Sequence, residues 1–168
     1  MAMLLWFVGT SFLAVWFVFR DDQFDYRVLA LGAVVPDIID ITTGGAWAMH
    51  SIIAPIVALV VVMAVARRGS VGRRRWLALP IGMFMHLVFD GAFNNTKNFW
   101  WPLTGISFDD RPLPSFDRWG LNIALEIAGA LMLVWVWKTH SLSSPDARQR
   151  FIRTGRLVGA TQGEAGKC

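Results

Sequence analysis

Four stretches of this 168-residue chain carry almost no charge, and this feature constrains the fold more than any other. They cover residues 1–19, 28–66, 76–96 and 119–137. A helix needs about 20 mainly apolar residues to cross a bilayer, and each stretch is close to or above that length. Only 17% of all residues are charged, against roughly 25% in a water-soluble domain. We therefore expect an all-α integral membrane protein.

The longest apolar stretch is interrupted by Gly44-Gly45, which divides it into two segments. The predicted spans are then residues 2–20, 27–43, 47–66, 76–93 and 119–138. We expect these to form a compact bundle of about five transmembrane or re-entrant helices, with a polar site in its outer half. Residues 94–118 are predicted to form an extracytoplasmic loop, and residues 139–168 a basic cytoplasmic tail.

The positions of the cations predict the orientation of the bundle. Residues 67–75 form a short loop with five arginines, and such loops stay in the cytoplasm. The tail is basic as well, so the C-terminus is predicted to be cytoplasmic. The preferred arrangement has five spans, in which residues 27–43 cross the membrane completely and the N-terminus is extracytoplasmic. If residues 27–43 are instead re-entrant, the N-terminus is cytoplasmic. Topology and contact with anionic lipid explain the isoelectric point of about 10.0, so no nucleic-acid partner is expected.

Six acids and histidines lie inside the predicted spans, where a charge is costly enough to mark a functional residue. They are Asp37, Asp40, His50, His86, Asp90 and Glu126. Counted along the helices from the nearest cytoplasmic cation, all six lie roughly 15–26 Å above the cytoplasmic face. Imidazole and carboxylate donors at one depth predict a divalent-metal site, with Zn²⁺ preferred and Mn²⁺ or Fe²⁺ as alternatives. The single cysteine, Cys168, excludes a disulfide framework and a cysteine-based zinc site.

Structural roles compete with this interpretation for some of these residues. Pro36-Asp37 could cap or kink a helix, and His50-Ser51 could cap the helix that follows. Glu126, with Asn122 four residues before it, could make an interhelical hydrogen bond. His140, at the cytoplasmic end of the last span, is predicted to be a surface residue.

Four motifs follow one another along the chain in a recognisable order. They are Gly32-Ala-Val-Val-Pro36-Asp37-Ile-Ile-Asp40, His50-Ser51, His86-Leu-Val-Phe-Asp90 and Trp101-Pro102-Leu103. In order and approximate spacing they resemble the bacterial membrane-bound metal-dependent hydrolases, a family that includes the YdjM/YbcI-like inner-membrane proteins. The resemblance covers residues 30–108. It implies a multi-pass protein of the bacterial cytoplasmic membrane, with metal ligands drawn from Asp37, Asp40, His50, His86 and Asp90.

The resemblance also implies a hydrolase, and the residues permit one. A bound divalent ion would lower the pKa of water to near neutral, and an uncoordinated carboxylate, Asp40 or Glu126, would act as general base. The expected substrate is a lipid ester or phosphoester that enters from the outer leaflet. The residues expected to contact it are Lys97, Trp101, Arg111 and Arg118.

A function of another class stays open from the sequence alone. The chain could be a non-catalytic small subunit of a larger membrane assembly, with other membrane proteins as its partners. It could also be a proton or metal carrier, because proton relays use buried acids and histidines too. Many carriers show an inverted repeat, and this sequence shows none.

Overall fold

The computed structural model of the protein describes residues 3–19, 24–42, 47–106 and 119–157. Every regular element in these ranges is helical, which confirms the all-α prediction. The helices are α1 (Leu4–Phe19), α2 (Tyr26–Ile41), α3 (Ile53–Val65), α4 (Val71–Asp90), α5 (Thr96–Phe99), α6 (Trp119–Thr139) and α7 (Pro145–Thr154). Two 3-10 turns cover Ala48–His50 and Ala92–Asn94.

The helices differ in how well they could cross a membrane. Within the described ranges, one segment, Gly120–Thr139 in α6, is both long enough and apolar enough to do so. Helices α1 and α3 are apolar but shorter, with 16 and 13 residues. The helical class is therefore confirmed, while a bundle of five membrane-crossing or re-entrant segments stays a prediction.

Two helices begin five or six residues away from the starts that the sequence predicts. Helix α4 begins at Val71 rather than at residue 76, because the Ser70 hydroxyl accepts a hydrogen bond from the Arg73 backbone amide and caps the helix. Helix α3 begins at Ile53 rather than at residue 47, because the preceding residues form the 3-10 turn that carries His50. These boundaries place the arginine-rich start of α4 at one end of the bundle and the turn at the other.

Helices α2 and α4 approach each other most closely, because glycines meet where they cross. A Cβ atom on Gly32 would lie 2.2 Å from the carbonyl oxygen of Leu79. A Cβ atom on Gly82 would lie 2.4 Å from the carbonyl oxygen of Leu29. Backbone contact of this kind requires glycine. On α4 the contact lies at Gly82, one helical turn before His86.

An ionic cluster around the buried Asp25 lies at the opposite end of α2 from Asp37 and Asp40. The Asp25 carboxylate caps α2, accepts hydrogen bonds from the Arg27 guanidinium, and pairs with Nε of Arg75 at 2.9 Å. Burial alone would raise the pKa of Asp25, but the bonds from Arg27 and from the Val28 backbone amide hold it below its ordinary value of 3.8. The cluster fixes the start of α2 against the start of α4.

The described part of the tail folds back onto this end of the bundle. The carbonyl of Gly155, just after α7, accepts a hydrogen bond of 2.9 Å from the Tyr26 backbone amide, and Leu157 is buried in the core. The prediction that His140 is a surface residue is wrong. Its side chain is buried because its ring packs edge-on against Trp16, with 4.4 Å between ring centroids.

Candidate metal centre

Three of the predicted metal ligands meet in the interior. Asp37 comes from α2, His50 from the first 3-10 turn and His86 from α4, and all three are buried. Nε2 of His50 and Nε2 of His86 lie 3.4 Å apart. Oδ1 of Asp37 lies 3.4 Å from the first nitrogen and 3.5 Å from the second. The three donor atoms thus form a nearly equilateral triangle.

The size of this triangle fits a metal ion. Donors placed about 2.0–2.1 Å from a tetrahedral ion lie about 3.3–3.4 Å from one another, which is the edge of the tetrahedron. The three measured separations, 3.4, 3.4 and 3.5 Å, match that edge within 0.2 Å. A buried Asp37–His50–His86 group of this geometry could hold a metal ion.

The ring of His50 is oriented by Asp40. Oδ2 of Asp40 lies 2.6 Å from Nδ1 of His50 and accepts a second hydrogen bond, of 2.7 Å, from the backbone amide of Trp47. Because Nδ1 donates its proton to this carboxylate, Nε2 points toward the other two donors. Such carboxylate–histidine pairs fix the tautomer and raise the basicity of a metal-binding imidazole.

The ring of His86 is oriented by the backbone of α2. Its Nδ1 lies 2.8 Å from the carbonyl oxygen of Ala33, and since a carbonyl only accepts, Nδ1 carries the proton. Nε2 of His86 is therefore the lone-pair nitrogen that faces Asp37. The Phe7 ring of α1 covers the imidazole, with 4.0 Å between ring centroids.

Asp90, the remaining acid of the predicted ligand set, lies at the edge of this group. Its side chain is 6% exposed, and Oδ2 lies 3.9 Å from Nε2 of His50, farther than the three donors lie from one another. The C-terminal end of α4, capped by Gly91 with a φ of 71°, holds the carboxylate there.

Glu126, the other predicted base, is engaged with α1. One of its carboxylate oxygens accepts hydrogen bonds of 2.9 and 3.3 Å from the backbone amides of Leu5 and Trp6. These amides belong to the first turn of α1, where backbone N–H groups lack partners within the helix. Glu126 thus makes an interhelical hydrogen bond, one of the two readings that its position in the sequence allows.

The structure describes two of the four residues expected to contact substrate. Lys97 is exposed on α5, and Trp101 follows that helix, half-buried. The segment is tied to the site by a hydrogen bond of 2.9 Å from the Ile52 backbone amide to the Phe99 carbonyl. Arg111 and Arg118 lie outside the described residues.

Sequence reasoning missed two groups that shape the centre. The Ala33 carbonyl carries no side-chain signal, and Phe7 is one aromatic residue among many in an apolar helix. The one signal in the sequence is the presence of a glycine in each helix, Gly32 in α2 and Gly82 in α4, which allows the two helices to come close enough for a bond from His86 to the backbone.

The comparisons with known proteins add no identification. No protein-family model, no curated protein and no solved structure matches the chain. The prediction of a buried set of metal-binding donors is confirmed in its coarse form by the Asp37–His50–His86 group. The resemblance to membrane-bound hydrolases stays a prediction.

Proposed function

We propose that this chain is a membrane-embedded, metal-dependent hydrolase that acts on a lipid ester or phosphoester. The observation that carries the proposal is the convergence of Asp37, His50 and His86 at the donor spacing of a tetrahedral site. Three protein donors with the fourth position open are typical of catalytic zinc sites, whereas structural zinc sites use four. Zn²⁺ is thus the proposed ion, with Mn²⁺ or Fe²⁺ as alternatives.

The distribution of apolar surface supports the membrane part of the proposal. In α3 only Pro55 is buried, although the helix is almost wholly apolar. The large side chains that it exposes are Ile56, Val57, Leu59, Val60, Val61, Met63 and Val65. Acids and histidines are buried in the same molecule, which is the reverse of the arrangement in a water-soluble domain.

Different residues of the chain would bind the ion, accept a proton and contact the substrate. When bound, the ion would supply the Lewis acidity that makes a water molecule nucleophilic near neutral pH. His50, His86 and Asp37 would hold that ion. Asp90 is the proposed proton acceptor, because its carboxylate lies beside His50 but outside the donor triangle. The exposed Lys97 on α5 is the proposed contact for an anionic headgroup.

Metal analysis of the purified protein tests this assignment. We expect one ion per chain in the wild type, loss of that ion in His86→Ala, and retention of it in Asp90→Asn. The matched control is His140→Ala, which removes another buried histidine and should keep the ion. Hydrolysis of ester- and phosphoester-containing lipids in mixed micelles should fall in both His86→Ala and Asp90→Asn, and should stop on chelation.

The outcomes separate the functional classes. Folded wild-type protein without metal would refute the metal centre and favour a non-catalytic subunit. Protein that retains metal but hydrolyses neither lipid class would favour a carrier. Loss of metal in Asp90→Asn would make Asp90 a fourth ligand and would remove it as the proton acceptor.

A further inference from the structure

The first turn of α1 lies against one of the histidines of the metal centre. Phe7 is fully buried, and its ring packs on the His86 imidazole with 4.0 Å between ring centroids and 43° between ring planes. Phe7 belongs to an apolar cluster with Met3 and with Ala33, whose carbonyl accepts the hydrogen bond from His86. His86 is therefore held at one ring nitrogen by α2 and on one ring face by α1.

The hydrogen bond to Ala33 does not fix the imidazole of His86 by itself. A hydrogen bond keeps most of its strength over about 30° of misalignment. A binding site must hold its donors within about 10–20° of the productive geometry. The ring of Phe7 supplies the missing restraint, because close packing against the imidazole face leaves little room for such a tilt. Phe7 therefore keeps Nε2 of His86 directed at Oδ1 of Asp37, 3.5 Å away.

Two side chains fasten this turn of α1 to the neighbouring helices. The Glu126 carboxylate of α6 accepts hydrogen bonds of 2.9 and 3.3 Å from the backbone amides of Leu5 and Trp6. The Trp6 indole donates a hydrogen bond of 3.3 Å to the Phe89 carbonyl of α4. Phe7, the next residue in the chain, is therefore part of a turn that is held from both sides.

We propose that Glu126 is a positioning residue for His86, and that it acts through the first turn of α1 and the ring of Phe7. The inference rests on the proposed function and gives Glu126 a place in it, as a support for a metal-binding histidine and not as the general base. Without the carboxylate, the amides of the first turn lose their acceptor. Helix ends open locally at low cost, so the turn would fray and Phe7 would leave the imidazole.

A double-mutant cycle tests this route from Glu126 to His86. The variants are Glu126→Leu, which removes the acceptor at similar size, Phe7→Leu, which removes the ring, and the combination of both. Each single variant should weaken Zn²⁺ affinity about tenfold, measured by chelator competition in the detergent-solubilised full-length protein. The double variant should be weakened no further, because both changes remove one and the same restraint.

Two control variants separate positioning from other roles. Phe12→Leu changes a second buried aromatic residue of α1, whose ring contacts Tyr26 and lies in a different core cluster from Phe7. It should lower the Tm about as much as Phe7→Leu and leave Zn²⁺ affinity unchanged. Glu126→Gln keeps an oxygen that accepts hydrogen bonds, so it should keep Zn²⁺ affinity within about twofold and also keep hydrolysis.

Metal-free protein gives a readout that does not depend on the ion. NMR of isotope-labelled histidine rings shows whether Nδ1 of His86 keeps the proton. We expect a single tautomer in the wild type and in Phe12→Leu, and a mixture of tautomers in Phe7→Leu and Glu126→Leu.

Each outcome decides between these roles. Affinity losses that multiply in the double variant, or an equal loss in Phe12→Leu, would overturn the positioning role. Glu126→Gln protein that binds Zn²⁺ fully but no longer hydrolyses lipid would overturn it as well, and would make Glu126 the base. Wild-type protein that binds no Zn²⁺ but gives the expected NMR result would refute the proposed function and support the positioning of His86 by Glu126.

Discussion

Replacing Gly32 by alanine should damage the metal centre from a distance, because this glycine sets the separation of α2 and α4. The new Cβ would lie 2.2 Å from the Leu79 carbonyl oxygen, and ordinary contact begins at 3.4 Å. Both sides of this contact are backbone, so the helices themselves must part, by about 1.2 Å. The bond from His86 to the Ala33 carbonyl, now 2.8 Å, would lengthen to about 4 Å and break.

The expected magnitude follows from these two changes. Overpacking costs about 1–3 kcal/mol and the lost hydrogen bond about 0.5–1.5 kcal/mol, so the free energy of unfolding should fall by roughly 1.5–4.5 kcal/mol. Losing the orientation of one histidine should weaken metal affinity by about 10–100-fold. Denaturation of detergent-solubilised protein followed by circular dichroism measures the first quantity, and competition with a chromophoric chelator measures the second.

Gly120→Ala is the matched control for this experiment. Gly120 lies in α6, and a Cβ atom there would meet nothing within 4 Å. Alanine favours a helix over glycine by about 1 kcal/mol, so the control should be as stable as the wild type or slightly more stable. Gly32→Ala protein with the stability and metal affinity of Gly120→Ala would refute the claim that close helix contact builds the site.

Three further predictions address other parts of the structure. Asp40→Asn should weaken metal affinity by about 10–100-fold in the same chelator competition, because an amide replaces the charged acceptor that orients His50; unchanged affinity would remove Asp40 from the centre. Gly155→Ala should release the tail and speed its cleavage by trypsin, because the added Cβ would collide with the Asp25 carboxylate. Gly69→Ala is the control, because Gly69 has a similar positive φ (75°, against 72° for Gly155) but nothing near its Cβ, so this variant measures the backbone cost alone. Equal cleavage of the two variants would contradict the claim that contact between Gly155 and Asp25 holds the tail in place. The lowered pKa of Asp25 means that its carboxylate stabilises the fold above the ordinary pKa of 3.8 and that this contribution is lost as the pH falls through and below that value. The Tm of the wild type should consequently fall more steeply than that of Asp25→Asn between about pH 5 and about pH 3, and parallel curves would argue against the shift.

The sequence was informative about which residues carry donors and about the helical class. The apolar blocks predicted helices, and the four-residue spacing of His86 and Asp90 placed both on one side of α4. Spacing could not distinguish the roles of Asp37 and Asp40, which look alike three residues apart. Asp40 supports the ring of His50 because its carboxylate, near the end of α2, contacts Nδ1 of His50 and accepts a hydrogen bond from the Trp47 amide.

The partner of Glu126 could not be predicted from the sequence, for a second reason. Its depth along α6 matches that of the site acids, so counting residues groups it with them. Which neighbour it faces depends on the rotation of α6 about its own axis, and that rotation is set by the contact of Gly129 with Leu5 of α1. Its carboxylate consequently binds the first turn of α1. Helix rotation of this kind leaves little trace in hydropathy.

One histidine of the centre is oriented by a side chain and the other by a backbone carbonyl, and this difference affects how each responds to mutation. The acceptor for His50 is the side chain of Asp40, so a single codon change can remove it. The acceptor for His86 is the carbonyl of Ala33, which every amino acid at that position retains. Position 33 is constrained by the size and polarity of a fully buried side chain, whereas position 40 must in addition supply a hydrogen-bond acceptor to His50. In a drifting population, the orientation of His50 would be lost to point mutation sooner than that of His86.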